Sequence, residues 1–128
     1  HYDMLATLGE LTCYEVPEET DGVSFLPTLL GQGEQEKRDF LYWEYPEYGG
    51  QVAIRQGDWK LVRQQLRNPE RSTTELYNLA VDSLEQYNVA DQYPEQLEAF
   101  RQIFEREHQR ADLERFVMPA LEKGLFDQ

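Results

Sequence analysis

The chain has 128 residues, 40% hydrophobic and 12% aromatic, which suits one folded domain with a modest core. Acidic residues outnumber basic ones 25 to 12, giving a net charge of −13. That excludes nucleic acid and anionic membrane as partners, because both need a basic surface. A lone cysteine, Cys13, excludes an internal disulfide, and no apolar run approaches the ~20 residues of a membrane-spanning helix.

In chain order, residues 2–12 read as a helix with Leu5, Leu8, Leu11 and Thr12 on one apolar face, and Asp3 in its first turn. Cys13, at the end of that pattern, reads as a small buried packing residue. The helix opens at the start of the chain, which predicts a piece of a longer protein. Residues 15–22 read as an acidic loop, and Ser24 and Gly31 bracket a short second helix over 25–30. Residues 32–39 are polar and exposed.

Residues 40–45 (FLYWEY) are nearly all large and apolar, the pattern of a strand covered on both faces. Residues 51–56 and 59–63 alternate with period two around the turn pair Gly57 and Asp58, which predicts a hairpin. Residues 64–74 read as an exposed excursion and 75–79 as a further strand. Residues 93–111 read as a helix, with Pro94 in the first turn and Tyr93, Leu97, Phe100, Ile103 and Phe104 as one apolar stripe. Pro119 and Gly124 bound one possible turn in the tail. The predicted fold class is α+β: an antiparallel sheet of about four strands packed against a long C-terminal helix, preceded by an N-terminal helical linker segment.

The residues alone carry little chemistry. Two histidines, His1 and His108, are too few for a transition-metal cluster, and His108 falls on the exposed side of its helix. Glu44, inside the aromatic strand, is an acid/base candidate or the ion-pair partner of Arg55 or Lys60. Asp82, Glu85 and Asn88 are oxygen donors without the EF-hand spacing for calcium. No catalytic and no metal residue is assigned.

The stretch GGQVAIRQGDWKLVR, followed by ELYNLAVDSLEQYNVADQYPE, resembles the C-terminal part of type I sulfatases, the arylsulfatase-like branch of the alkaline phosphatase superfamily. That family shows an AVR-x-G-x-W/Y-K-L hairpin, then E-L-Y-D/N-L-x-x-D-P-x-E-x-x-N-x-A, then Pro-Glu opening the last helix. The matches fall on residues 53–61, 75–90 and 94–95, and residues 1–31 resemble the family's connection between its two domains. Cys13 stands where glycine is usual and Ser83 where proline is usual.

The resemblance implies that residues 1–39 link to an N-terminal catalytic domain and that 40–128 form a small C-terminal subdomain. It implies sulfate-ester hydrolysis by a formylglycine, made from the cysteine of C-x-P/A-x-R, beside a calcium ion. Both are expected in the N-terminal domain, with no cofactor in this segment. Cys13 is followed by Tyr14, Glu15 and Val16 and does not match that motif. The segment is expected to be structural and inactive alone, with Tyr45, Glu47, Tyr48 and Gln51 facing substrate. Tyr45 and Tyr48 would stack on a sugar or aryl ring, and Glu47 or Gln51 would bind hydroxyls. Expected partners are the catalytic domain and a sulfated glycan or aryl sulfate, outside the cytoplasm of a bacterium. Two other readings stay open: a separate carbohydrate- or protein-binding module on the aromatic strand, and a part of a phosphate or phosphonate ester hydrolase.

Overall fold

A computed structural model describes residues 2–17 and 20–126. His1, and Glu18 and Glu19 of the expected acidic loop, lie outside the described residues. The chain forms two compact units, His1–Asp39 and Phe40–Gln128.

In the first unit, α1 spans Met4–Thr12 and α2 spans Leu26–Leu30. The buried side of α1 is not the leucine stripe. Leu5, Leu8 and Leu11 are about half exposed, whereas Thr7 and Gly9 are buried. The reason is polar and steric. The Thr7 hydroxyl accepts the Phe25 N–H at 3.0 Å and donates to the Asp3 carbonyl at 2.6 Å. A side chain at Gly9 would strike Val16 Cγ2 at 2.2 Å, so only glycine lets the chain fold back there.

Asp3 is the N-cap rather than a first-turn residue, and its carboxylate accepts the Val23 N–H at 2.9 Å and the Arg38 guanidinium. Burial pushes its carboxyl up, but Val23 and Arg38 outweigh this and hold it below the ordinary carboxylate value. Cys13 is exposed, not buried. It is the left-handed C-cap of α1 (φ 55°), a position that favours glycine. Ser24 Oγ accepts the Leu26 N–H, and Gly31 ends α2 in the left-handed region.

In the second unit, β1 (Leu41–Tyr45), β2 (Gln51–Gln56), β3 (Trp59–Gln64) and β4 (Thr73–Asn78) form an antiparallel meander in the order β1-β2-β3-β4. Ile54 pairs with Leu61, and Leu61 with Leu76, and these three meet Phe100, Ile103 and Phe104 of α3 (Pro94–Glu107) in the core. The helix covers one face of the sheet only. β1 is therefore not buried on both faces: Trp43 and Tyr45 are 38% and 49% exposed on the outer side. The stretch after β3 is not simply an exposed excursion, because Leu66 is fully buried. Its N–H bonds the Gly50 carbonyl and its own carbonyl accepts the Ala120 N–H.

The tail completes the core with Met118, Ala120, Leu121 and Leu125. Arg63 ties it down. This guanidinium, 2% exposed, donates to the Leu125 carbonyl and to Ser72 Oγ, while Nε finds no partner. Burial lowers its pKa below the ordinary guanidinium value. The free edge of β4 is closed by Asn88: Oδ1 accepts the Leu76 and Ala90 N–H groups, each at 3.0 Å, and Nδ2 donates to the Thr74 carbonyl. Asn88→Ala is expected to cost about 2 kcal/mol by orphaning these groups, with Asn88→Asp intermediate because it keeps the acceptor. Urea midpoints of the two variants check the order, and equal midpoints would sink it.

Candidate functional site

The β1–β2 loop is built by backbone geometry. Tyr48, Gly49 and Gly50 all have positive φ (50°, 92° and 82°), and the Gly50 N–H bonds the Glu47 carbonyl. Gly50 is buried, and an added Cβ would stand 3.0 Å from Met118 Sδ and 3.3 Å from Leu66 Cβ, so the site needs glycine. The Arg67 N–H donates to the Gly49 carbonyl at 2.8 Å and its Nε to the Pro46 carbonyl at 2.9 Å. The loop is thus pinned from below, while Tyr48, 81% exposed, is held out on top. The left-handed backbone costs a tyrosine ~1 kcal/mol. Its ring stacks on Tyr45 at 6.2 Å and 28°.

Of the four residues expected to face substrate, Tyr45, Tyr48 and Gln51 come together. Gln51 pairs with Tyr45 across β1 and β2, which puts both on the outer face. Glu47 sits exposed in the loop.

Glu44 points to the other face and pairs with neither Arg55 nor Lys60. Its Oε1 lies 2.6 Å from His108 Nδ1 and accepts the Tyr42 hydroxyl. His108 is accordingly not on an exposed helix side. α3 stops at Glu107, four residues short of the expected end, and the next backbone is extended. That turn brings the imidazole, 17% exposed, onto the Phe104 ring at 4.7 Å, with Nε2 3.8 Å from Glu122 Oε1. The arrangement latches β1 to the tail.

The calcium candidates are spent on structure. Asp82 accepts the Gln86 and Tyr87 N–H groups, Glu85 binds Lys60 Nζ at 2.6 and 2.7 Å, and Asn88 closes β4. Among the described residues no three His, Cys, Asp or Glu are grouped to hold a metal. The donor set here does not fit calcium, and an exposed, left-handed Cys13 outside the required motif does not fit a formylglycine precursor.

Sequence reasoning missed a cleft of about 420 Å³ on the outer face, lined by Trp43, Ala53, Arg55, Lys60, Leu79 and Glu85. Period-two alternation was the available signal, since it sends Trp43, Ala53, Arg55 and Lys60 to the same side. Glu85 is itself left-handed, at φ 54°.

This meander backed by one helix recurs in solved ester hydrolases. A 2-O GAG sulfatase matches with a TM-score of 0.67 and 26% identity over 81% of this chain and 23% of that one. The phosphonate monoester hydrolase of Agrobacterium radiobacter, at 23% identity and TM-score 0.59, shares the fold over 81% of this chain and 23% of its own. Residues 1–112 match the family described as N-sulphoglucosamine sulphohydrolase, C-terminal, and the chain belongs to that family of sulfatase C-terminal domains. The choline-sulfatase of Rhizobium meliloti (strain 1021) is 38% identical over 87 residues, 68% of this chain and 16% of that protein. The chain therefore spans less than a quarter of the length of each of these relatives.

Proposed function

We propose that the chain works as the C-terminal part of a larger sulfatase that hydrolyses sulfate esters of glycans or aryl alcohols outside the cytoplasm. In this reading a preceding catalytic domain supplies the formylglycine and the calcium. This segment completes the fold and lends Tyr45, Glu47, Tyr48 and Gln51 to the rim of the substrate pocket. The observation that carries the reading is the family match over residues 1–112. No described helix is long and apolar enough to cross a membrane.

Sequencing the reading frame upstream of His1 tests the reading. It is expected to encode a catalytic domain with C-x-P/A-x-R. Serine or threonine in place of that cysteine favours the phosphate or phosphonate alternative instead, and a start codon close to His1 overturns the reading. The 128-residue chain alone is expected to leave an aryl sulfate unhydrolysed, and turnover above background contradicts the inactive role. In the intact enzyme, Tyr48→Ala is expected to raise KM about fivefold, the loss of ~1 kcal/mol of ring stacking, with kcat unchanged. An unchanged KM removes Tyr48 from the pocket rim.

The exposed Tyr45 and Tyr48 stack also supports a second reading, a carbohydrate-binding module that works alone. Saturable glycan binding to that stack by the isolated chain favours it.

A further inference from the structure

We infer that Arg67 is a positioning residue that fixes Tyr48 of the β1–β2 loop against the tail, residues 113–126, which lies beyond the family match. That Tyr48 then meets substrate rests on the pocket-rim reading. Two neighbouring residues after β3 each bond the loop on one side and the tail on the other. Leu66 gives its N–H to the Gly50 carbonyl at 3.1 Å, and its own carbonyl accepts the Ala120 N–H at 3.3 Å. Arg67 gives its N–H to the Gly49 carbonyl and its Nε to the Pro46 carbonyl, while Nη2 donates to the Arg115 carbonyl. Pro46 and Gly49 flank Glu47 and Tyr48, so the arginine brackets the exposed turn from both ends. Met118 of the tail fills the space beside Gly50. All of these contacts lie inside the Phe40–Gln128 unit, so they do not depend on which surfaces a preceding domain covers.

The loop needs such a grip. Tyr48, Gly49 and Gly50 take positive φ in succession, and a tyrosine stays in that region only where its surroundings hold it. The backbone donors of Leu66 and Arg67 are there whatever the side chains, so the guanidinium is the part that a substitution removes. Its use is geometric, not ionic. Among the described residues no carboxylate pairs with Arg67, and both of its side-chain bonds go to neutral carbonyls. A planar fork aims two donors in fixed, different directions, whereas an ammonium on a flexible stem is a single point. Arg67 therefore fixes where the loop stands on the tail, and the Tyr48 ring keeps its place on Tyr45.

The test uses the intact enzyme, with KM and kcat for 4-nitrophenyl sulfate and the ¹⁹F spectrum of 3-fluorotyrosine placed at residue 48. Arg67→Ala and Arg67→Lys are each expected to raise KM about threefold with kcat unchanged. In a Tyr48→Ala background Arg67→Ala is expected to add nothing, because the ring it positions is gone. Arg67→Ala is also expected to narrow and shift the ¹⁹F line as the ring gains freedom. Should Arg67→Ala not fold, Arg67→Lys, on an exposed residue, carries the same readings. Where Tyr48→Ala raises KM, any of four results overturns the inference. These are an unchanged KM in Arg67→Ala, a native KM in Arg67→Lys, effects that multiply in the double variant, and an unchanged ¹⁹F line. The second would mean that the charge of Arg67 meets the anionic substrate directly. Where Tyr48→Ala leaves KM unchanged, the pocket-rim reading fails and the ¹⁹F line decides alone: a narrowed line upholds Arg67 as the anchor of Tyr48, and an unchanged one overturns it.

Discussion

Arg63→Ala is expected to destabilise the Phe40–Gln128 unit by about 3 kcal/mol, while Arg63→Met changes it by ~1 kcal/mol or less. Arg63 is 2% exposed, and no carboxylate pairs with it among the described residues. Its charge is thus a cost to the fold, met in part by the Leu125 carbonyl and Ser72 Oγ. Alanine removes that cost but also deletes the methylene stem, at ~0.8 kcal/mol per buried group, and leaves a cavity and an orphaned Leu125 carbonyl. Methionine keeps the volume and sheds the charge, so the two effects nearly cancel. Urea melts of both variants separate the contributions. Equal losses would mean that the hydrogen bond to Leu125, not the packing, is what Arg63 provides.

The sheet was legible because its signals are local. Gly57 and Asp58 mark the β2–β3 turn, and period two puts Val52, Ile54 and Leu61 on one face, where they are buried. The stripe of α3 was legible for the same reason: Phe100, Ile103 and Phe104 are buried at helical spacing. The α1 stripe shows the limit of the signal: periodicity reports that a face is apolar, not that the same unit covers it. There the hydrogen bonds of Thr7 decided which side turned in. His108 was misread through the helix end: an α3 running on to residue 111 sends that ring outward, whereas a stop at Glu107 turns it toward Glu44. In the candidate site, Tyr45, Glu47, Tyr48 and Gln51 were named through the resemblance to a family loop, and the structure stacks Tyr48 on Tyr45 and pairs Tyr45 with Gln51. The cleft was hidden because Trp43, Arg55, Lys60, Leu79 and Glu85 come from separate stretches, and each is ordinary alone.

The tail was the least legible part. Met118, Ala120, Leu121 and Leu125 follow neither helical nor strand spacing, yet all are at most 4% exposed. Their placement is set by partners far away in sequence: the Ala120 N–H on the Leu66 carbonyl, and the Leu125 carbonyl on Arg63. A chain ending at Asp112, where the family match stops, is therefore expected not to fold stably in its second unit. Uncovering Met118, Leu121 and Leu125 forfeits about 1.5–3 kcal/mol each. It also exposes Val52, Leu66 and Gly50 on the sheet side and leaves the Arg63 charge without its carbonyl partner. The sum rivals the whole stability of a small domain, ~5–15 kcal/mol. Amide exchange and thermal melts of residues 1–112 against the full chain check this. A truncated chain that keeps the midpoint of the intact one would show that the sheet and α3 suffice, and that the tail packs on a core already complete.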